Sequence, residues 1–442
     1  MKKTLISLLT CLVACMGIAT AQNSFNLPYA QFGIGTSDMP YNMPMATRMG
    51  GAVYTRSGNN YINPFNPASY GSIEKESFVF DMGFNIQLNT LRTGDKSLFD
   101  ANGNVGYLAI GLPITRWWKM AAGLIPYSAA DYESVSVQKD EAYGSMSTRY
   151  HGSGSVSEIF VGTAFNIPVG KSRSLQAGAN MKYLTGHVYR AISYAFTDNT
   201  VTYWVDSRRL RETHVSNLLF DFGLQFRQTL GEDYALGVGL TYKPYQEMTV
   251  SDMALIYTYR ASSEQLIDTI FPARGDDPTF QSLLEQPHTF GVGLSFERSK
   301  QWQVAADATF AAWDGLFYTE DAGHAIFGQS ALEKGPYSRY ALGFERMGDM
   351  DASTYWGRIG WSVGAHAEQG LLYLNLDDGS HRIDGWGVGA GMSMPMRKGR
   401  SLLTLSVGYN VTGDSDLLKR ECVTFGIAVS SCERWFVKRK YN

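Results

Sequence analysis

Phe78-Val79-Phe80-Asp81-Met82-Gly83-Phe84-Asn85-Ile86-Gln87-Leu88 decides the fold. Successive side chains on a strand point to opposite faces, so Phe78, Phe80, Met82, Phe84, Ile86 and Leu88 form an apolar stripe backed mostly by polar or tiny groups. One such strand fits a soluble sandwich. Here the alternation returns all the way to the C-terminus. Leu218, Phe220, Phe222, Leu224 and Phe226 oppose Leu219, Asp221, Gly223, Gln225 and Arg227, and Phe290, Val292, Leu294 and Phe296 oppose Gly291, Gly293, Ser295 and Glu297. Leu403, Leu405, Val407 and Tyr409 repeat it against Thr404, Ser406, Gly408 and Asn410. A recurring stripe of this kind, with aromatics on one face and small polar residues on the other, marks a membrane-spanning β-barrel.

Composition agrees. The 442 residues include 46 Gly, 26 Tyr, 23 Phe and 9 Trp but 14 Pro, with 18% charged residues, which suits a roomy interior and aromatic girdles outside. A net charge of −3 speaks against nucleic acid as a partner. The N-terminus reads as a secretory signal over 1–21, with Lys2-Lys3, the apolar run from Leu5 to Ile18, and Ala19-Thr20-Ala21 before Gln22. A second reading takes Leu12-Val13-Ala14-Cys15 as a lipobox with Cys15 lipidated. No later stretch approaches the roughly 18 apolar residues of a membrane helix. Cys422 and Cys432, about 30 Å apart along one strand at about 3.3 Å per residue, are expected as free thiols.

Residues 22–76 differ from the rest. Pro28, Pro40, Pro44, Pro64 and Pro67 interrupt any ladder, and Gly50-Gly51 and Asn59-Asn60 are loop chemistry. From 77 to 436 the alternation and turn signals give about fourteen strands, the even number single-chain bacterial barrels require. Residues 437–442 form a basic tail behind the Arg434-Trp435-Phe436 interface anchor. Short turns such as Gly231-Glu232-Asp233 and Arg397-Lys398-Gly399 read as periplasmic, and the polar stretches 128–154, 189–213, 260–287 and 314–338 as extracellular loops, with both mature termini in the periplasm. The expected fold is therefore an all-β, antiparallel, up-and-down barrel. Its lumen is wider than its own side chains fill. Residues 22–76 are the expected hatch.

Arg48-Met49-Gly50-Gly51-Ala52 and Asn66-Pro67-Ala68, just before the first strand, make the chain resemble the outer-membrane long-chain fatty acid transporter (FadL) family. The resemblance implies a Gram-negative outer-membrane barrel with a hatch carrying Asn66, Pro67 and Ala68, and passage of a hydrophobic small molecule sideways into membrane lipid through a kink in the third strand. Pro126, in Ile125-Pro126-Tyr127, is the candidate for that kink, since proline withholds a ladder N–H; it could equally end the strand at the rim. No strongly apolar lumen stripe is visible. Asp81, Asp221, Asp307, Glu297 and Glu345 are polar lumen residues expected to hydrogen-bond the hatch. The same fold serves a second reading, a non-transporting subunit with an envelope protein partner in a secretion or protein-insertion complex.

Two local patterns invite an enzymatic reading, and neither carries it. Gly360-Trp361-Ser362-Val363-Gly364 matches a nucleophile elbow, which needs a strand-to-helix turn, but lies within a strand. His214-Val215-Ser216-Asn217 is similar to the motif of outer-membrane phospholipase A, yet Leu218 replaces the expected Gly and no downstream Asn orients the histidine. His366 and Glu368 share a face without making a site. The histidines lack metal-ligand spacing, and no phosphate loop or cofactor motif is present.

Overall fold

The computed structural model describes residues 28–31, 33–35, 42–140, 144–170, 172–196, 205–260, 265–272, 281–311, 318–319, 335–376, 379–396, 401–414 and 417–434. It is a closed antiparallel barrel of fourteen crossings. These are β1 (Ser77–Thr93), β2 (Lys96–Pro113), β3 (Trp118–Ala129, continued by Tyr132–Asp140), β4 (Gly144–Pro168), β5 (Arg173–Phe196) and β6 (Asp206–Leu230). Next come β7 (Tyr234–Lys243, continued by Gln246–Arg260), β8 (Gln265–Pro272, Gln281–Gln286 and Thr289–Arg298) and β9 (Trp302–Ala311, with Tyr318–Thr319). The circuit ends with β10 (Tyr337–Arg346), β11 (Gly360–Leu376), β12 (Gly379–Met396), β13 (Ser401–Thr412) and β14 (Lys419–Arg434). β14 pairs with β1 from Ser77↔Arg434 to Arg92↔Lys419, which closes the wall.

The facing follows the alternation. Leu218, Phe220, Phe222 and Leu224 are exposed on the outside, while Leu219, Asp221 and Gln225 are buried within. Two aromatic girdles bound the apolar band, as the membrane interfaces demand. At one edge Trp117 stacks on Phe165 and Tyr234 on Phe296; at the other Tyr242 stacks on Phe290, Phe310 meets Tyr340, and Trp386 meets Tyr409.

Several strands run past the second girdle. β4 and β6 each have 25 residues, where about 9–11 cross a bilayer. The stretches 128–154 and 189–213, expected as loops, are therefore mostly ladder: Tyr132–Asp140, Gly144 onward, up to Phe196 and again from Asp206. Gln265–Pro272 and Gln281–Gln286 likewise fall within the expected loop 260–287. Their inner face is closed by polar and charged residues such as Arg190, Ser193, Asp206, Arg211 and Thr213, and polarity alone does not distinguish such strands from loops. Trp356–Arg358 forms a short 3-10 turn, and β11 begins at Gly360. Cys422 and Cys432 are buried free thiols. The signal, the turn at 397–400, most of 314–338, the Trp435-Phe436 anchor and the tail lie outside the described residues.

Phe222→Arg is expected to lower the yield of folded, heat-modifiable barrel, because a cation on the lipid face costs about 2–4 kcal/mol at the midplane and less toward the girdle, where Phe222 stands opposite Tyr242. Gly223, its inward neighbour, is no neutral control: Asn66 Oδ1 and Pro67 lie where its Cβ would stand. Equal yields of the parent and the Phe222→Arg variant on semi-native gels would contradict the facing.

Candidate functional site

The chain from Asn42 to Ile73 lies within the ring of strands and is almost entirely buried. Its backbone presses on wall glycines: Met49 against Gly364 and Gly343, Thr47 against Gly389, Tyr54 against Gly239, Pro67 against Gly178. Gly50 and Gly51 turn the segment here with φ of +60° and +83°, a region open to glycine at little cost. Arg339 reaches from β10 to both of their carbonyls, at 3.4 and 3.3 Å, and holds Glu368 at 2.6 Å.

Three of the five inward carboxylates hold this segment. Glu345 accepts from Arg48 and Arg56 at 2.5 and 2.6 Å. Asp307 accepts the Val53 and Tyr54 amides at 2.5 and 2.8 Å. Asp81 accepts the Ile62 amide at 3.1 Å together with the hydroxyls of Tyr107 and Ser430, each at 2.8 Å. The other two bond the wall instead. Asp221 pairs with Lys182 at 2.5 Å, and Glu297 with Arg227. Lys182 stands on the strand next to Asp221 and Arg227 reaches Glu297 across β7, and these partners satisfy the two carboxylates without the segment.

Asn66-Pro67-Ala68 acts as a clamp. Asn66 Oδ1 caps the short turn Pro67–Ser72 by accepting from the Ala68 amide at 3.1 Å, and Pro67 at its first position has no N–H to satisfy. Asn66 Nδ2 donates to the Tyr54 carbonyl at 2.8 Å and to Leu224 of β6 at 3.3 Å. Tyr70 stacks on Phe160 and donates to Asn180 at 3.1 Å.

Beyond the segment lies a cavity of about 260 Å³ whose lining includes Ile125, Tyr127, Glu158, Lys182, Asp221 and Gln286. Val156, Leu184, Val188, Val215, Leu219, Met248, Val250 and Leu284 form an apolar cluster on the inner face of β4 to β8. This is the lumen stripe that alternation counting did not reveal. The trace it leaves is a local failure of alternation: in Leu218-Leu219-Phe220 and Ser282-Leu283-Leu284 the inward position is as apolar as its neighbours. Lys182 bridges Glu158 and Asp221, at 3.1 and 2.5 Å, beside this cluster. Ile34 completes the cluster from the N-terminal side; its carbonyl accepts from Ser128 at 2.9 Å, and Gly33's carbonyl accepts from Arg190. Tyr29 donates to Leu418 at 2.6 Å, and burial together with the Asp414 carboxylate pushes its phenol up to about 12, so it remains a donor.

The wall beside this cavity is incomplete. β2 and β3 pair from Pro113↔Lys119 only as far as Leu108↔Leu124; above that level β2 pairs with β1 and β3 with β4. Pro126 lies within β3, two residues past the last pair and beside a register shift against β4 between Pro126 and Ser128.

The enzyme-like motifs are engaged otherwise. Ser362 lies within β11 and accepts from Arg48 at 3.3 Å. His214 and Ser216 both face outward; Ser216 bonds the Tyr183 hydroxyl at 2.8 Å, and His214 Nε2 lies 3.2 Å from Glu212. His366 sits 4.0 Å from Glu368, whose carboxylate is held by Arg339. Among the described residues no three ligand-type side chains gather to hold a metal ion.

Among solved structures, a Pseudomonas aeruginosa FadL homologue shares 11% identity over 94% of this chain and all of its own, with a TM-score of 0.52. The CymD monoaromatic hydrocarbon channel shares 13% over 88% of this chain and 98% of its own, with a TM-score of 0.51. At such identity the likeness is one of fold. None of the curated proteins matches the sequence. The family model described as BamG matches residues 1–442, the whole chain, and this barrel of FadL-like fold thus belongs to the BamG family.

Proposed function

We propose that the protein is an outer-membrane barrel that takes a hydrophobic small molecule into the cavity above a fixed hatch, residues 22–76, and releases it sideways into the bilayer between β2 and β3. The short turns face the periplasm in this reading. The observation that carries it is the end of the β2–β3 ladder at Leu108↔Leu124, next to Pro126, with cavity-lining Ile125 and Tyr127 directly behind. Unpaired backbone at membrane depth is tolerated where it lines a cavity or is covered by protein, and both conditions are met there. The cavity has apolar lining from Phe65, Ile125, Leu372 and Ile383, and it adjoins the apolar cluster through Tyr127, which lines the one and packs against the other. The FadL-like fold of CymD, a monoaromatic hydrocarbon channel by name, supports the same reading.

Membership of the BamG family favours a second reading, a non-transporting barrel subunit of an envelope protein-insertion assembly. The hatch carboxylates fit it equally well, since a plug held by buried ion pairs is suited to a static scaffold. Proteoliposomes with albumin as an external acceptor separate the two. Pro126→Val is expected to leave insertion intact, extend the β2–β3 pairing and reduce palmitate delivery to background. Unchanged delivery would remove the β2–β3 exit, and no delivery by the parent protein together with a stoichiometric partner in mild detergent would favour the scaffold.

A further inference from the structure

A second interruption of the wall lies on the other side of the apolar cluster. β6 pairs with β7 from Phe222↔Tyr242 to Leu230↔Tyr234, and again from Asp206↔Tyr259 to His214↔Ser251. Between these two ladders Val215–Asp221 of β6 face a β7 that has swung away at Pro244-Tyr245 and pairs on its far side with β8, Gln246↔Gln286 to Ser251↔Gln281. Two amide side chains span the slot in place of a ladder. Gln246 accepts from the Phe220 amide at 3.0 Å and donates to its carbonyl at 3.5 Å, and Asn217 donates to the Thr249 carbonyl at 3.2 Å.

The slot starts at the second girdle, where Phe222 pairs with Tyr242, and separates that edge of the membrane from the cluster. Leu218 and Phe220 flank it on the exposed side, while Val215, Leu219, Met248 and Val250 fill it from within as part of the apolar cluster. Asp221 and Lys243, at its lower end, line the cavity. Gln286 lines it too, 5% exposed, with a buried Nε2 that has no hydrogen-bond partner. A wall built only to seal would continue the ladder, whose backbone bonds leave no orphans in lipid. Side-chain latches over flexible apolar residues instead make a joint that opens at the cost of about one modest hydrogen bond apiece.

We infer that this β6–β7 slot is an intake portal through which a single-chain amphiphile leaves the outer leaflet and enters the cluster, its chain among Leu219, Met248 and Val250 and one head oxygen accepting from Gln286 Nε2. The inference rests on the transport reading and gives it a separate way in, opposite the β2–β3 way out. Membrane lipid is then the source of the cargo.

The test uses the full-length barrel in vesicles containing tritiated palmitic acid, with loading and delivery scored separately. Loading is the label retained by the purified barrel, and delivery is the label passed to albumin. An Asn217→Cys, Thr249→Cys pair is measured before and after a bis-maleimide joins the two thiols, so one folded preparation is its own control. Loading is expected to fall to background after joining, and Asn217→Ala or Gln246→Ala to speed it by about fivefold each, the equivalent of one hydrogen bond of about 1 kcal/mol. Normal loading of the joined protein overturns the portal. In that case Pro126→Val still judges the transport reading through delivery. No loading of the parent at all overturns both.

Discussion

A barrel lacking residues 23–70 is expected to insert and to conduct ions in planar bilayers, whereas the intact protein is expected to stay closed. The wall at the level of the hatch is lined by Gly178, Gly223, Gly239, Gly343, Gly364 and Gly389, residues with nothing of their own to project into the lumen. Fourteen strands enclose more space than such a lining fills, so the hatch supplies the missing volume. Stepwise conductance is the expected record, larger than any residual leak of the parent. A deletion protein that inserts and stays silent would mean that another part of the chain closes the lumen.

Glu345→Ala should loosen the hatch without removing it. It strips the partner from two guanidiniums, Arg48 and Arg56, whose side chains are 6% and 4% exposed. Breaking a buried pair in this way costs about 3–5 kcal/mol, because the leftover charge stays in poor solvent. The urea midpoint is expected to fall and brief openings to appear in bilayer recordings. Replacing Arg48, Arg56 and Glu345 together by leucine or methionine is expected to recover most of the loss, since apolar side chains of similar size leave no orphan charge. A parental midpoint in Glu345→Ala would show that the segment is held by its glycine contacts alone.

What the sequence revealed followed from periodicity. Phe78 to Leu88 and Leu218 to Phe226 gave strand, facing and membrane class at once, because a stripe with period two has one reading once lipid lies on one side. Asn66-Pro67-Ala68 drew attention through its chemistry, and its clamp role depends on Tyr54 and Leu224, which no local pattern points to. Glu345 and its arginines stand about 290 residues apart, a distance over which no spacing rule operates. The apolar cluster escaped notice for a physical reason. Inward Leu219 looks like noise in a lipid-facing run, and Leu284 falls within the stretch 260–287 whose polarity suggests a loop. The projecting parts of β4 to β6 resemble loops in sequence because their buried face is made of polar and charged residues such as Arg190, Arg211 and Thr213, so no apolar stripe marks them.

Asp81 has a consequence for how the protein is held together. Its carboxylate meets Tyr107 of β2, Ser430 of the last strand and the Ile62 amide of the hatch at one point. The first and last strands pair at this seam, so Asp81 has its full set of donors only when the closed cylinder also holds the N-terminal chain. A cylinder that shuts empty carries a carboxylate short of one donor at its own join, where partners count most. The join of the wall and the chain inside it thus share one anchor, and loss of either leaves the other with an incomplete set of bonds.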